Sequence, residues 1–314
     1  MISNSIVDSL IADGHEVLIA DNLVTGNVRN IEVAIKSGRA TFVYADIGQS
    51  ADALRAAFAD VLGTKKIGRI YHLASPASPD AYGKNPWETL RVNSLGTMSL
   101  IEIAEEHGAR MLFASTSEIY GDPLVHPQHE GYFGNVDPVG PRACYDEGKR
   151  FGEAAMSVAI NGSRIDGRIV RFFNCYGPRM ATGDGRLVPS LVEAGLANRP
   201  LPIQGTGSQT RSMTYVDDAV ALMKLVMEKP QASLQPVNIG NDHEQSVREV
   251  AEAVADALGI PCRIESVPER PADPQRRKPD LTIARSYGWA PKTEFAQGIR
   301  QTIEWFREAL LSYV

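Results

Sequence analysis

The stretch MLFASTSEIYG at residues 111–121, followed by YDEGK at residues 145–149, decides how this chain folds. Residues 111–115 form a mainly apolar run that ends in a small side chain, which predicts a buried strand. Residues 142–160 carry the periodicity of a helix. Tyr145 and Lys149 are four residues apart, so a helix places both on one face. A hydroxyl-rich strand end facing a Tyr–Lys pair indicates acid/base chemistry.

The same alternation of strand and helix extends outward from this stretch. Further strands are predicted at residues 16–21, 40–47, 69–75 and 168–174, and further helices at residues 4–13, 50–62 and 87–107. Alternation of this kind is typical of an α/β fold, in which helices cover both faces of a parallel sheet. We therefore predict a Rossmann-type doubly wound parallel sheet in residues 1–178, acting as an NAD-binding domain.

Asp21 is the first indication of the cofactor. It ends a strand that follows a helix closed by Gly14, and this order is the second half of a dinucleotide-binding βαβ unit. In such a unit the acid binds the ribose hydroxyls of NAD, and an acid there argues against NADP. The alternative is that Asp21 only begins a turn with Asn22.

No strand and glycine-rich turn precede the first predicted helix in this sequence. Supplying them would take roughly 10–15 residues, so we expect a sheet that lacks its first strand and its glycine turn. Ligands of parallel sheets lie beyond the carboxyl ends of the strands. We predict that NAD contacts residues at or near these ends: Asp21, Asn22, Asp46, Ile47, Leu73, Ala74, Ser75, Asn93, Tyr145 and Lys149.

After residue 178 the chain becomes richer in proline, glycine and arginine. Strands are predicted at residues 236–239 and 262–267, and helices at residues 217–228, 246–258 and 295–310. We predict that residues 179–314 are mainly a smaller substrate-binding domain, with helix 217–228 packing back on the first. Guanidinium groups suit phosphate and carboxylate, and the loops carry four of them, Arg179, Arg186, Arg211 and Arg277. The alternative for any single one is a solvated surface arginine.

Composition narrows the class of protein. The formal net charge of -6 argues against binding nucleic acid as the main role. No apolar run approaches 18 residues and no signal peptide opens the chain, so we expect no membrane association. The three cysteines have no metal or disulfide spacing. A reducing cytoplasm and the absence of a metal are expected on these grounds.

Tyr145 needs help to act as a base. A free tyrosine has a pKa of about 10, so ionisation near neutral pH requires a shift of about three units, or roughly 4 kcal/mol. A nearby Lys149 ammonium and an oxidised nicotinamide ring can supply it in a partly dry site. Thr116 or Ser117 can share a hydrogen bond with the hydroxyl being oxidised.

Six stretches carry a resemblance to a known family: HLASPASP at 72–79, STSEIYGDP at 115–123, GPRACYDEGKR at 140–150, NCYGPRM at 174–180, GTGSQTR at 205–211 and DPQRRKPD at 273–280. The whole chain resembles the extended short-chain dehydrogenase/reductases of the NAD-dependent epimerase/dehydratase family. Within that family it is most similar to the UDP-glucuronic acid decarboxylase branch, to which the third and sixth stretches are specific.

The resemblance implies a decarboxylation of UDP-glucuronate to UDP-xylose within a closed redox cycle. Its implied catalytic residues are Thr116, Ser117, Glu118, Tyr145, Lys149 and Arg277. Its implied substrate-binding residues are Pro76, Tyr82, Glu118, Asn174, Arg179, Arg186, Gln204, Arg211 and Arg277. It also implies a homodimer formed through helices 87–107 and 142–160.

Three alternatives remain open from the sequence. A 4,6-dehydratase of the family has an acid where Ser117 stands, and a serine protonates a leaving hydroxyl poorly. A 4-epimerase needs no acid there, and the Arg277 loop is what argues against it. The third alternative is a non-catalytic homologue that cannot bind NAD, because the first strand and glycine turn are missing.

Overall fold

The computed structural model describes residues 1–230, 235–269 and 275–311, so the first two positions of the stretch DPQRRKPD lie outside the described residues. The helices are α1 (Ile2–Ala12), α2 (Glu32–Lys36), α3 (Ala51–Leu62), α4 (Pro79–Lys84), α5 (Pro86–Asn93), α6 (Leu95–His107), α7 (Ala143–Asn161), α8 (Leu187–Leu196), α9 (Val216–Glu228), α10 (Val247–Leu258), α11 (Thr282–Ser286) and α12 (Phe295–Leu311). The strands are β1 (Val17–Asp21), β2 (Ala40–Tyr44), β3 (Arg69–His72), β4 (Arg110–Thr116), β5 (Asp166–Phe172), β6 (Cys175–Tyr176), β7 (Leu201–Gln204), β8 (Thr210–Ser212), β9 (Thr214–Tyr215), β10 (Val237–Ile239), β11 (Glu244–Ser246), β12 (Ile264–Val267) and β13 (Arg276–Arg277).

The central sheet has four parallel strands in the order β10-β5-β4-β3. Helices α3, α6 and α7 cover one face, and α9 packs against β4, β5 and β10. This arrangement confirms the α/β Rossmann-type class. Strand β10 and helix α9 come after residue 178, so two elements from the C-terminal part of the chain belong to the central sheet and its cover.

Strands β1 and β2 form a separate parallel pair. Among the described residues no ladder joins β1 to β3. Apolar side chains of β1 and β3, among them Leu18 and Ile70, line a cavity of about 1760 Å³ between the two units.

Helix α7 lies unusually close to its neighbours because two glycines face them. A Cβ on Gly152 would lie 2.3 Å from Cζ of Phe113 on β4, and a Cβ on Gly148 would lie 3.3 Å from Cβ of Asn93 on α5. Phe113 is fully buried, and truncating such a ring to alanine typically costs about 3–5 kcal/mol. The close packing fixes the helix that carries Tyr145 and Lys149.

Two predicted elements differ from the structure. The helix expected at 87–107 is two helices, α5 and α6, which meet at Ser94 with φ −105° and ψ −83°. The break accompanies a close approach, since a Cβ on Gly96 would lie 2.6 Å from the carbonyl oxygen of Ile47. The strand expected at 69–75 ends at His72. Helix α4, capped by Ser78 and opened by Pro79, was not predicted.

The remaining strands build the C-terminal part around two small sheets. Strand β12 pairs with β7 in parallel, and β8 lies between β11 and β13. A large apolar core joins α8, α9, α10 and α12 beneath them. Within the described ranges, no helix combines the length and apolar character that crossing a bilayer requires.

Candidate active site

Tyr145 lies at the first turn of α7 with its ring buried. The ring stacks on that of Tyr82 with centroids 5.0 Å apart and planes 10° apart, and its hydroxyl hydrogen-bonds with Thr116 at the end of β4. Burial raises the pKa of Tyr145, and the Thr116 hydrogen bond opposes that rise only in part. Burial therefore favours the neutral phenol of Tyr145, so its ionisation needs a positive charge nearby.

Lys149 lies one turn further along α7, also buried. Its Nζ donates a hydrogen bond of 2.7 Å to the carbonyl oxygen of Ala114. The same Nζ lies 4.9 Å from the ring centroid of Phe113 and 5.9 Å from the ring centroid of Tyr145. Burial lowers the pKa of Lys149 to about 7. The structure thus places Tyr145, Lys149 and Thr116 together, as the sequence predicted.

Glu118 follows Thr116 in a short 3₁₀ turn, Ser117–Tyr120. Its carboxylate accepts two hydrogen bonds from Arg277, Nη1 to Oε1 at 2.5 Å and Nη2 to Oε2 at 2.9 Å. Arg142 also donates to Oε2. Burial alone would raise the pKa of Glu118, but the charges of Arg277 and Arg142 outweigh it and lower the pKa to about 2. Glu118 is therefore a carboxylate at neutral pH.

Arg277 reaches Glu118 because β13 pairs with β8. Arg277 stands opposite Arg211 in this parallel register, and both side chains are buried. The Arg211 charge also lowers the pKa of Glu118. Two residues that are distant in sequence thus bring guanidinium groups to one carboxylate, which a surface role would not explain.

Gln128 anchors the segment that carries Arg277. Gln128 is fully buried, and its Oε1 accepts a hydrogen bond of 2.9 Å from the Lys278 amide. Its backbone amide donates to the Lys278 carbonyl oxygen, and its own carbonyl oxygen accepts from the Asp280 amide. Asn238 on β10 donates to the Gln128 carbonyl oxygen at 2.9 Å. The hydrogen bonds tie β13 to the central sheet, so the position of Arg277 depends on residues far from it in sequence.

The large cavity along β1, β3 and β4 is the region that suits NAD. Its lining includes every predicted cofactor residue except Asn93, namely Asp21, Asn22, Asp46, Ile47, Leu73, Ala74, Ser75, Tyr145 and Lys149. Asn93 lies beside it, donating to Ser75 Oγ at 2.9 Å, while its Oδ1 is buried without a hydrogen-bond partner in the described chain. An acid at one end and the Tyr–Lys pair at the other fit a dinucleotide.

Two of the acids that line this cavity, Asp21 and Asp46, also shape their own turns. Asp21 accepts the Leu23 amide at 2.6 Å, so the turn that the sequence left as an alternative is present. Asp46 accepts the Gly48 amide at 2.9 Å and lies 3.4 Å from Asn22 Nδ2. Both carboxylates still line the cavity, so a turn role and a ribose role are compatible.

The predicted substrate residues fall into two groups. Arg211 and Arg277 gather at Glu118, whereas Arg179 and Arg186 line the cofactor cavity, paired with Asp8 and Asp184 respectively. Pro76 lines the same cavity, and Tyr82 stacks on Tyr145. Asn174 and Gln204 are half-buried, and the contacts that the structure records for them are made by their backbone oxygens. The four arginines therefore do not form one cluster.

Arg142 and Asp146 were missed as site residues. Arg142 precedes α7 and Asp146 lies within its first turn, buried and 3.9 Å from Arg142 Nε. Burial and the Glu118 charge raise the pKa of Asp146 to about 7. Spacing could have found Arg142, which lies three residues before Tyr145, and then Asp146, which lies four residues after Arg142.

A buried acid, a Tyr–Lys pair and a cavity at the carboxyl edge of a parallel sheet define a nucleotide-cofactor enzyme of the Rossmann type. The profile of the NAD dependent epimerase/dehydratase family matches residues 1–240, and the chain belongs to that family.

Relatives and solved structures agree with this membership. The chain is 41% identical over 310 residues to UDP-glucuronic acid decarboxylase 1 of Xenopus tropicalis, covering 98% of this chain and 70% of the relative. It is 41% identical over 308 residues to UDP-glucuronic acid decarboxylase 6 of Arabidopsis thaliana, covering 98% and 86%. The UDP-glucose 4-epimerase of Thermus thermophilus in complex with NAD superposes with TM-score 0.85 at 28% identity, covering 98% of this chain and 96% of that one.

Proposed function

We propose that this protein decarboxylates UDP-glucuronate to UDP-xylose, using NAD as a cofactor that ends as it began. The observation that carries the proposal is the Arg277–Glu118 pair, buried beside Thr116 and Tyr145. A guanidinium next to the acid/base pair is what a substrate carboxylate requires. Relatives with about 40% identity over nearly the whole chain are named UDP-glucuronic acid decarboxylases.

The oxidation step uses Thr116, Tyr145 and Lys149. NAD, when bound, supplies a hydride acceptor for C4 of the sugar and later returns the hydride. Tyr145 takes the proton of the C4 hydroxyl, and Thr116 orients that hydroxyl by a hydrogen bond. Because burial raises the pKa of Tyr145, the phenolate needs positive charge nearby, and Lys149 provides it when protonated.

The decarboxylation step follows from the ketone at C4. The carboxylate on C5 is then that of a β-keto acid, so the bond from C5 to the carboxyl carbon breaks and its electron pair moves to the C4 oxygen. Tyr145 and Thr116 hydrogen-bond to that oxygen as its negative charge grows. Arg277, which Glu118 holds in position, binds the carboxylate end. After the carbon dioxide leaves, a proton from water is added at C5. The hydride then returns to C4 while Tyr145 gives its proton back to the C4 oxygen, which yields UDP-xylose.

A product assay tests the proposal. The protein is incubated with UDP-glucuronate and NAD, and the products are separated and identified by mass spectrometry. We expect UDP-xylose and carbon dioxide in equal amounts with no net reduced cofactor. UDP-galacturonate as the product would indicate the 4-epimerase alternative, and unchanged UDP-glucuronate would indicate the non-catalytic one.

We also propose a homodimer that forms through α5, α6 and α7. These three helices pack on one another and leave large apolar side chains exposed: Trp87, Leu95, Met98, Phe151 and Val158. Trp87 is 74% exposed and Val158 is 71% exposed, and exposed apolar groups of this size favour association. We expect Trp87→Glu with Val158→Asp to sediment as a monomer, whereas Val139→Asp, changed at a 90% exposed loop residue, keeps the wild-type mass.

A cytoplasmic location is proposed from cysteine chemistry. Cys144, Cys175 and Cys262 are free thiols. A reducing compartment maintains such thiols. Fractionation of the native host with an antibody against the chain tests this location, and recovery in a secreted or periplasmic fraction would contradict it.

A further inference from the structure

Glu118 and Arg277 reach one another from two segments that are anchored separately. Glu118 lies in the 3₁₀ turn Ser117–Tyr120, and Tyr120, which ends that turn, is fully buried. The Tyr120 hydroxyl donates a hydrogen bond of 2.9 Å to Oδ1 of Asn238 on β10. The turn that carries Glu118 is therefore attached to the central sheet through this hydroxyl.

The segment that follows Arg277 is attached to the same side chain. Nδ2 of Asn238 donates to the carbonyl oxygen of Gln128 at 2.9 Å and to that of Asp280 at 3.2 Å. The backbone amide of Gln128 in turn donates to the carbonyl oxygen of Lys278, the residue after Arg277. The oxygen of the Asn238 amide thus holds the 3₁₀ turn, and its nitrogen holds the Arg277 segment.

The side-chain amide of Asn238 is fully buried and has a fixed orientation. Carbonyl oxygens only accept hydrogen bonds, so the two that face this amide require its nitrogen, and its oxygen is left to the Tyr120 hydroxyl. Arg171, opposite Asn238 in the register of β5 and β10, donates to the Tyr120 hydroxyl oxygen at 3.0 Å. The Asn238 backbone amide donates to Oε1 of Glu130 at 2.9 Å. Since a buried network of satisfied hydrogen bonds is rigid, Asn238 fixes the two segments relative to each other.

We propose that Asn238 is a positioning residue for decarboxylation, which sets the Arg277 guanidinium against the Glu118 carboxylate. The two hydrogen bonds of that pair, 2.5 Å and 2.9 Å long, depend on angle as well as distance, so a small shift of either segment weakens them. Thr116 and Tyr145 lie on β4 and α7, outside both segments, so oxidation at C4 does not depend on Asn238. The inference rests on the proposed function for the reaction that it names, but the placement itself can be measured without a substrate.

Urea unfolding of the full chain tests the placement. A double-mutant cycle with Glu118→Gln and Arg277→Met gives the coupling free energy of the pair, first in the wild-type background and then with Asn238→Ala. We expect the coupling to fall to about half or less in the Asn238→Ala background, and an unchanged coupling would overturn the inference. Tyr120→Phe keeps the ring and removes only the hydroxyl. It should reduce the coupling in the same direction, which keeps the test decisive if the alanine variant does not fold.

Single turnovers with UDP-glucuronate and NAD test the consequence for the reaction. The absorbance of reduced cofactor rises with oxidation at C4 and decays after decarboxylation, when the hydride returns. We expect Asn238→Ala and Tyr120→Phe each to slow the decay about tenfold and to leave the rise nearly unchanged. Because both variants cut the same connection, the double variant should be no slower than the slower single variant. Equal slowing of rise and decay, or slowing that multiplies in the double variant, would overturn the inference.

Thr302→Val is the matched control. Thr302 is also fully buried, and its hydroxyl donates to the carbonyl oxygen of Gly298 at 2.7 Å within α12, which carries neither segment. We expect this variant to lose stability while the coupling of Glu118 with Arg277 and the decay stay as in wild type. Losses of the same size in Thr302→Val and Asn238→Ala would overturn the positioning role. A coupling that depends on Asn238 in a protein that releases no carbon dioxide from UDP-glucuronate would overturn the proposed function alone.

Discussion

Arg211 and Arg277 stand opposite one another in the register of β8 and β13, both buried, with the Glu118 carboxylate as the anion that both charges stabilise. Two buried like charges on neighbouring strands would repel strongly in a medium of low dielectric. Glu118 offsets this repulsion and in turn is held ionised. The pairing of two short strands therefore creates the charge distribution of the site.

Replacing Arg277 should separate oxidation from decarboxylation. Arg277→Gln removes the two hydrogen bonds to Glu118 but leaves Thr116 and Tyr145 in place. We expect formation of UDP-xylose to fall about 100-fold, a loss on the order of 2–4 kcal/mol, while a 4-keto UDP-sugar accumulates. Mass spectrometry of quenched reactions measures both species. Arg276→Gln, altering the exposed partner of Glu244, is the control, and an equal loss there would show that the strand has been disturbed.

Removing the Tyr145 hydroxyl should abolish the first step while preserving the fold. Tyr145→Phe keeps the ring that stacks on Tyr82. We expect the rate to drop about 10²–10⁴-fold, the usual contribution of a general acid/base, with little change in melting temperature. Tyr44→Phe, at a 70% exposed tyrosine, should behave as wild type. A Tyr145→Phe enzyme within about tenfold of wild type would exclude Tyr145 as the base.

Gln128 should influence the reaction from a distance. Gln128→Ala leaves the Lys278 amide without its side-chain acceptor, which costs about 1–3 kcal/mol of stability for a buried donor. Because this bond positions the strand of Arg277, we also expect kcat/KM for UDP-glucuronate to fall about tenfold. Gln128→Glu retains the acceptor and should recover most of the activity. His129→Ala, at the exposed neighbour, serves as control, and identical losses in both alanine variants would argue against a positioning role.

Asp146 should make stability depend on pH in an unusual direction. Burial and the Glu118 charge raise its pKa from 3.8 to about 7 against the opposing charges of Arg142 and Arg277, with a smaller upward effect of Glu147. The folded protein retains the proton up to about pH 7, whereas the unfolded chain releases it near pH 4. The contribution of Asp146 to the free energy of unfolding is thus fully present below about pH 4 and is lost as the pH rises to about 7.

Urea unfolding of Asp146→Asn measures this contribution. The variant lacks the ionisable group, so its free energy of unfolding relative to wild type should increase between about pH 4 and pH 7, by at most roughly 4 kcal/mol. Glu147→Gln, on the same helix, gives the matched comparison. A difference between wild type and Asp146→Asn that stays constant over this pH range would contradict the raised pKa.

The periodicity of the sequence predicted those parts of the site that lie on a single strand or helix. Thr116, Tyr145 and Lys149 could be placed together because a strand end and a helix face follow from periodicity over few residues. The Arg211–Arg277 pairing could not be derived, because it depends on the register of two strands of three and two residues. The break at Ser94 was equally hidden, since the apolar pattern continues through it and only the contact of Gly96 with Ile47 marks it.

The separation of β1–β2 from the four-stranded sheet divides the protein into regions of unequal opening energy. Ladder hydrogen bonds continue from β3 to β10 but do not cross to β1, so the amides of β1 and β2 should exchange with solvent through smaller local openings than those of β4. A dinucleotide that touches Asp21 on one side and Lys149 on the other would act as a cross-link between these regions. Binding of the dinucleotide would then slow amide exchange most strongly in β1 and β2, far from the C5–carboxyl bond that breaks in the reaction.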